Sequence, residues 1–241
     1  MNYHRVANMS TRIFISITAL LYLAFMLCDF FVNNFELSSI LKFISIFLCF
    51  VITIVFYIFN RKNKDCFILM TAFLFTVIAD VFLLFTDQFL FGVLSFCVVQ
   101  IIYLYRIHCI VPNLSKYHLF LRMFVTIVVL LLMNLFSIKV DFLLCVTVFY
   151  FINFVGNIVL LGVLRLKSHQ LVSRRYPVYL TRFFLGMILF ILCDVSVGLY
   201  NLSYYVNLSG NIYDFVVLIA SFGMWGFYLP GQVCIALSTK K

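Results

Sequence analysis

Charged residues are scarce in this sequence. Lys, Arg, Asp and Glu make up only 10% of its 241 residues, whereas 66% of the residues are hydrophobic. Soluble globular domains contain about 25% charged residues, so this composition excludes a water-soluble fold. The chain also lacks CxxC, P-loop, GxSxG and HExxH motifs. The commonest signatures of zinc sites, nucleotide hydrolysis, serine hydrolases and metalloproteases are therefore missing.

Long apolar runs fill the sequence between short polar breaks. A bilayer core of roughly 30 Å needs about 20 apolar residues per helix, and the alternating pattern of membrane β-strands is absent. The pattern predicts an all-α, polytopic membrane bundle with eight transmembrane helices, at about 13–33, 38–59, 66–86, 89–108, 118–137, 140–164, 177–200 and 212–237. The connections are too short for another domain. Residues 1–241 are thus predicted to form one integral membrane domain with short cytoplasmic tails at about 1–11 and 238–241.

Basic residues are distributed unevenly over the ends of the predicted spans. Only Lys42 and Lys139 of the 17 basic residues lie on one side of the membrane, which leaves 15 on the other. The positive-inside rule therefore places both termini in the cytoplasm. High Phe, Ile and Asn content is typical of a low-GC genome and favours a bacterial inner membrane. Because basic residues dispersed over short loops form no groove for nucleic acid, anionic lipid headgroups are their expected partners.

Two carboxylates interrupt the apolar spans. Asp80 and Asp194 each lie about six residues below the predicted outer end of a span, the third and the seventh. An ionisable side chain in hydrocarbon costs on the order of a few kcal/mol, so it normally faces the bundle interior and finds a partner. Lys42 lies in the same outer third of the membrane, and Gln100 lies near the midplane. We expect these polar side chains to point inward.

The surroundings of the two carboxylates are similar. FTVIADVFLLF (75–85), followed by FGVLSFCVVQ (91–100), parallels LFILCDVSVGL (189–199), followed by FGMWGFYLPGQ (222–232). Each pair has an Asp, then a Phe-Gly start and a Gln on the next span. This pattern favours a parallel duplication of two four-helix halves, which would bring both carboxylates to one cavity.

Two carboxyl groups in one apolar site favour acid–base chemistry. They cannot both ionise cheaply, so we expect one to stay protonated and the other to stay charged, against Lys42. Such a pair suits hydrolysis in which one group protonates the substrate and the other positions water. The structural alternative is that Asp80 and Lys42 only neutralise each other while Asp194 bonds to its neighbours. Water is expected to solvate the acids at span ends: Asp29, Asp87, Asp141 and Asp214.

Four stretches of the sequence resemble a known family. LKFISIF opens the second span, ADVFLLF with FGVLSFCVVQIIY fills the third and fourth, GMILFILCDVSVGL lies in the seventh, and FYLPGQVCIALS lies in the eighth. In order and spacing they resemble the YhhN family of eight-span membrane proteins, which includes the lysoplasmalogenases. The resemblance covers about residues 38–237.

The resemblance implies a lysophospholipid substrate. The expected reaction is hydrolysis of the vinyl-ether bond of lysoplasmalogens to a fatty aldehyde and a glycerophospho-alcohol, with no metal and no cofactor. The positions carried over from the family's polar motifs are Lys42, Asp80, Asp194, Tyr228 and Gln232. One of the two Asp residues would be the general acid, and the other would stabilise the cation and orient water.

One position departs from the family pattern. Where the fourth span of the family usually has Gly, Phe, His and Tyr, this chain has Gly92, Phe96, Gln100 and Tyr103. Gln cannot carry a proton through a catalytic cycle. The alternative function is therefore a non-enzymatic member of the family that has lost catalysis, or a carrier of lipids or small molecules. Carriers usually have broken helices in corresponding spans, whereas Pro230 and Gly231 interrupt only the eighth span here.

Overall fold

The computed structural model describes residues 3–32, 34–110, 117–135, 140–170, 178–201 and 211–239, and their side chains except at 3–8, 167–170 and 211–212. The eight α-helices of these residues are α1 (Tyr3–Leu27), α2 (Phe35–Phe59), α3 (Lys64–Phe85), α4 (Phe89–Ile110), α5 (His118–Leu135), α6 (Phe142–Gln170), α7 (Val178–Tyr200) and α8 (Asn211–Ala236). A π-helical turn, Cys28–Val32, follows α1. No β-strand occurs in the part of the chain described, which confirms the all-α class.

Each of the eight helices contains a stretch long and apolar enough to cross a membrane, so the polytopic bundle is confirmed for the described ranges. The spans agree closely with the predicted ones. The main difference is at the N-terminus, because α1 begins at Tyr3 and includes most of the tail predicted at about 1–11. The polar residues before the first span include no Pro or Gly to stop the helix.

Polar residues in the short breaks cap the following helices. The side chains of Asn34, Asn63 and Asp141 accept hydrogen bonds from first-turn N–H groups of α2, α3 and α6, at 3.1, 3.0 and 2.7 Å. The first N–H groups of a helix have no partner within the helix, so such caps stabilise its start. These residues therefore separate consecutive spans.

Six helices form a closed ring. The helix contacts run from α2 to α3, α4, α6, α7 and α8 in that order, and α8 packs back against α2. The two remaining helices lie outside this ring, α1 against α2 and α5 against α6. α5 is the span that protein covers least. Inward-facing side chains of the six ring helices thus share one interior.

The packing order repeats after four helices. Contacts of α1 with α2, α2 with α3, α3 with α4 and α4 with α6 correspond to those of α5 with α6, α6 with α7, α7 with α8 and α8 with α2. This repetition is the pattern expected of two parallel halves related by a twofold axis along the membrane normal. The described helices therefore support the duplication predicted from the sequence.

Two glycines close the seam between α7 and α8. A Cβ at Gly186 would lie 2.8 Å from the backbone oxygen of Gly231, and a Cβ at Gly231 would lie 3.1 Å from the backbone oxygen of Gly186. Small residues let membrane helices approach this closely, which favours van der Waals packing. Tyr228 lies one turn before Gly231, so the seam fixes its position relative to α7.

A buried arginine joins four elements at the predicted cytoplasmic end. Arg106 is 0% exposed. Its guanidinium forms a bidentate ion pair with Asp65 at 2.7 and 3.0 Å, donates to the side chain and backbone oxygen of Ser238, and lies 4.5 Å from the ring centroid of Phe183. The predicted contact of Arg106 with lipid headgroups is wrong, because its side chain is buried among these partners. Ser238, at the start of the predicted tail, packs against the bundle through this contact. Full pairing compensates the cost of burying this charge.

Candidate functional site

Asp80 faces the interior of the ring. It follows the buried Thr76 and Phe73 on one face of α3, so the helical period turns its carboxyl inward. Asp80 is 3% exposed. The hydroxyl of Tyr228, from α8, donates to both carboxylate oxygens at 2.8 and 2.9 Å. Two of the residues predicted for the site are therefore in direct contact, from helices that lie far apart in sequence.

Asp194 has a different tyrosine partner. The hydroxyl of Tyr150, from α6, donates to Asp194 Oδ2 at 2.5 Å. Asp194 is partly exposed, unlike Asp80, and Tyr150 is buried. The sequence argument missed Tyr150, although its spacing of one and two turns from Asn153 and Asn157 marks a polar stripe on α6. The Asp80–Tyr228 and Asp194–Tyr150 contacts are called the acid–tyrosine pairs below.

The acid–tyrosine pairs lie around a common apolar centre. The ring of Phe154 packs against Tyr150 with a centroid distance of 5.7 Å and against Phe190 with a centroid distance of 4.9 Å. The ring of Phe190 packs against Tyr228 with a centroid distance of 5.4 Å. The two carboxyls thus belong to one neighbourhood inside the ring. A cavity that both carboxyls line remains a prediction.

The predicted pairing of Lys42 with Asp80 is wrong. Lys42 Nζ lies 2.8 Å from Asp29 Oδ2, and both side chains are largely covered, with 10% and 15% exposure. Asp29, which was expected to be solvated, lies in the π-helical turn after α1. A π-turn changes the direction of the side chains that follow it, so the regular period could not place this residue. The solvated positions predicted for Asp87, Asp141 and Asp214 agree with their exposure.

Aromatic rings connect the Lys42 ion pair to the buried acid. Lys42 Nζ lies 4.9 Å from the centroid of the Trp225 ring, a cation–π contact. Trp225 packs edge-to-face on Tyr228 with a centroid distance of 5.1 Å, and the Tyr228 hydroxyl bonds to Asp80. The rings of Trp225 and Tyr228 therefore separate the ammonium group of Lys42 from the carboxyl group of Asp80. Lys42 is close to the acid–tyrosine pairs without contacting either carboxyl.

The other predicted residues are buried but incompletely paired. Gln100, Tyr103 and Gln232 are all 0% exposed. Among the described residues, Gln100 Nε2, the Tyr103 hydroxyl and both amide atoms of Gln232 have no hydrogen-bond partner. A buried polar group without a partner costs about 1–3 kcal/mol. These atoms can bond to water or to a ligand. A role of the three residues in binding the substrate or in tuning the acids is a prediction.

A polar chain crosses the membrane interior from α5 to α4. Arg122 Nη1 donates to Asn157 Oδ1 at 2.8 Å, and Asn157 Nδ2 donates to Gln100 Oε1 at 3.0 Å. Asn157 thus links α5 to α4, as polar side chains inside a membrane bundle commonly link helices. In these contacts the side chain of Arg122 points towards α6. The expected contact of Arg122 with lipid headgroups stays a prediction.

The cysteines act as small packing residues. All eight are free, and Cys28, Cys49, Cys66, Cys97 and Cys193 are buried. Within the described ranges, no three His, Cys, Asp or Glu side chains are grouped so that they could hold a metal ion.

The family of the chain follows from sequence comparison. The profile of the YhhN family matches residues 37–239, which include both acid–tyrosine pairs. Comparisons with curated proteins and with solved structures found no match. The matched range begins in the first turn of α2 and continues past the end of α8, so it includes nearly all of the six ring helices. The chain therefore belongs to the YhhN family.

Proposed function

We propose that the protein hydrolyses the vinyl-ether bond of lysoplasmalogens, giving a fatty aldehyde and a glycerophospho-alcohol. The supporting observation is the pair of intramembrane carboxyls, Asp80 and Asp194, each hydrogen-bonded to a tyrosine within one apolar neighbourhood. Family membership adds support, because the YhhN family includes lysoplasmalogenases. A lysophospholipid is then the substrate, and its apolar chain enters between helices from the lipid.

The reaction needs an acid and a carboxylate. The acid gives its proton to the alkene carbon remote from the ether oxygen, which leaves an oxocarbenium ion. Water adds to the carbon next to that oxygen and gives up a proton to the carboxylate, forming a hemiacetal. The hemiacetal collapses to the aldehyde and the glycerol hydroxyl. A carboxylate beside the cation stabilises its positive charge most strongly in a water-poor site.

The acid–tyrosine pairs and Lys42 each have a role in this reaction. One of Asp80 and Asp194 is the general acid, and the other stabilises the cation and orients water. The tyrosine hydroxyls hold the carboxyls in position. Lys42 binds the substrate phosphate in exchange for its contact with Asp29, or else adjusts the charge near Asp80. This arrangement suits a lysophospholipid, whose ether group lies close to its charged headgroup.

The contacts of Gln100 help to decide between the hydrolase and the alternative function. That alternative is a family member that has lost catalysis or become a carrier. Its amide oxygen accepts from Asn157, and no hydrogen bond joins it to Asp80 or Asp194 in the described structure. Both acid–tyrosine pairs therefore form with Gln100 at the position where the family usually has His. This observation favours the hydrolase over the inactive alternative.

The decisive test is aldehyde release by the detergent-purified protein. Asp80→Asn and Asp194→Asn should each lower the rate of lysoplasmalogen hydrolysis about hundredfold or more, because proton transfer by a positioned group contributes that much. Asp87→Asn, at an exposed position, is the matched control and should keep full activity. Equal release by all variants would remove both carboxyls from the mechanism. No release by the parent protein would favour the inactive family member or the carrier.

The membrane location is part of the same proposal. We place the protein in a bacterial inner membrane with both termini in the cytoplasm, because 15 of its 17 basic residues lie on one side of the predicted topology. The acid–tyrosine pairs then lie towards the outer leaflet. Reporter fusions to the C-terminus that are active only in the cytoplasm test this orientation, and a fusion active only outside would reverse it.

A further inference from the structure

Arg122 is a buried cation in the spanning part of α5. It is 6% exposed, and its Nη1 donates to Asn157 Oδ1 at 2.8 Å and to the backbone oxygen of Asn153 at 3.2 Å. Gly156 leaves the space in which the guanidinium lies, because a Cβ at this position would be 2.6 Å from Arg122 Nε. One face of α6 thus surrounds the guanidinium, and its residues Asn153, Gly156 and Asn157 are called the cradle below. The hydrogen-bond partners in the cradle are all neutral.

No side-chain carboxylate balances this charge. The sequence has eight acidic residues, all within the described ranges. Two of them form the ion pairs with Lys42 and Arg106, and two belong to the acid–tyrosine pairs. The other four are exposed at span ends: Glu36, Asp87, Asp141 and Asp214. A buried charge without a counterion is strongly unfavourable, so Arg122 needs an anion that the acidic side chains of the protein do not supply.

The hydrogen bonds around Arg122 also leave two N–H donors of these side chains without an acceptor in the described residues. Arg122 Nη2 is buried and has no hydrogen-bond partner in the described residues. Because a guanidinium can only donate, Asn157 presents its oxygen to Arg122 and its NH2 group to Gln100. Gln100 must then present its oxygen to Asn157, which leaves its Nε2 group without an acceptor. Both ends of this chain of three side chains are therefore N–H donors.

We propose that Arg122 binds a phosphate oxyanion, which accepts hydrogen bonds from Nη2 and balances the buried charge. The planar guanidinium fork matches the oxygens of phosphate and bonds them more strongly than it bonds neutral acceptors. Arg122 lies one turn from the start of α5, at the predicted cytoplasmic end, where lipid headgroups and dissolved phosphate can both approach. Lipid lies beside the site, because α5 is the described span that protein covers least.

This phosphate site is separate from the proposed hydrolytic site. Asn157 of the cradle follows Tyr150 of the acid–tyrosine pair by seven residues on α6. That spacing corresponds to roughly 10 Å along the helix, towards the predicted cytoplasmic end. Phosphate binding at Arg122 therefore does not depend on whether the protein cleaves lysoplasmalogens.

Phosphate binding is testable on the parent protein, purified in a neutral detergent. The first arm titrates inorganic phosphate at constant ionic strength and follows the thermal unfolding midpoint. The second arm uses native mass spectrometry to compare retention of phosphatidylglycerol and phosphatidylcholine. A rise in the unfolding midpoint with phosphate alone identifies dissolved phosphate as the ligand, whereas preferential retention of phosphatidylglycerol identifies an anionic headgroup. Absence of both effects would overturn the proposal.

Three variants test whether phosphate or phosphatidylglycerol binds at Arg122. Arg122→Met should weaken binding of phosphate or phosphatidylglycerol about tenfold or more, as expected for loss of a charge-assisted hydrogen bond. Gly156→Ala should weaken it too, because the added methyl displaces the guanidinium while its charge remains; this variant carries the test if Arg122→Met does not fold. Arg12→Met removes an exposed basic residue from the same predicted side and should bind like the parent. Full binding by Arg122→Met or Gly156→Ala would contradict the assignment.

Discussion

The two intramembrane carboxyls differ in their immediate surroundings. Asp80 is enclosed, and both of its oxygens accept from Tyr228. Asp194 is partly exposed, and Tyr150 donates to only one of its oxygens. The second oxygen of Asp194 is thus available to a water molecule. This difference favours Asp194 as the carboxylate that orients water in the proposed hydrolysis, with Asp80 as the acid.

The tyrosine hydroxyls should matter for the rate. Tyr228→Phe and Tyr150→Phe each remove one hydrogen bond to a carboxyl and leave the ring in place, so we expect hydrolysis to fall about ten- to hundredfold. Initial rates of aldehyde release at saturating lysoplasmalogen measure the effect. Tyr105→Phe, on the exposed side of α4, should retain the parent rate. Full activity of both site variants would assign the tyrosines a packing role only.

Lys42 and Asp29 should stabilise the fold as a pair. Lys42→Met leaves the carboxylate of Asp29 largely covered and unpaired, so we expect a loss of about 3–5 kcal/mol in the free energy of unfolding. The double variant Lys42→Met/Asp29→Asn should recover part of that loss. Unfolding by SDS in mixed micelles gives the values for a double-mutant cycle, with the exposed Lys62→Met as control. Additive losses in the double variant would show that the two side chains do not interact.

Among the helices, the α7–α8 pair depends most clearly on residue size. The seam at Gly186 and Gly231 brings two backbones together, and Tyr228 and Asp194 lie on the helices that it joins. α7 and α8 have the most extensive contact of the described helices. A shift of one helix against the other would move Tyr228 relative to Asp80. Packing of two glycines is therefore linked to the geometry of the site.

Larger residues at the seam should destabilise the protein. Gly231→Ala places a Cβ 3.1 Å from two backbone atoms, the oxygen of Gly186 and the nitrogen of Phe190, so the helices must separate. We expect a loss of about 1–3 kcal/mol in the free energy of unfolding and a lower thermal midpoint. Gly198→Ala is the matched control on α7, because a Cβ there meets nothing within 4 Å. Equal midpoints for the two variants would show that the seam tolerates the added methyl.

At the level of the molecule, the sequence contains most of the architecture. Eight apolar runs of membrane length fix the number of helices, and the repeated Asp, Phe-Gly and Gln pattern predicts the two halves that the packing order supports. The exposed hydrophobic side chains that face away from the ring agree with lipid as the surroundings. These features were predictable because span length and helical period are local properties of the sequence.

The partners of the polar residues could not be predicted in the same way. Asp80 bonds to α8 and Asp194 to α6, although the repeat would give them corresponding partners. Tyr228 corresponds to Phe96 when the two halves are aligned at the Gln, and to Cys97 when they are aligned at the Phe-Gly start; neither residue has a hydroxyl to offer Asp194. Lys42 likewise binds Asp29 through a π-helical turn. Pairings between distant residues depend on side-chain reach and helix rotation, which a hydropathy pattern does not contain.

Hydrolysis in D2O tests most directly whether Asp80 and Asp194 supply the acid and the carboxylate. The parent protein should release aldehyde with one deuterium on the carbon next to the carbonyl, because the acid that protonates the alkene exchanges with solvent. Immediate reduction of the aldehyde prevents later exchange, and mass spectrometry counts the label. Asp80→Asn and Asp194→Asn should release almost none of this labelled product. Unlabelled aldehyde from the parent, or equal labelled release by all three proteins, would contradict the mechanism.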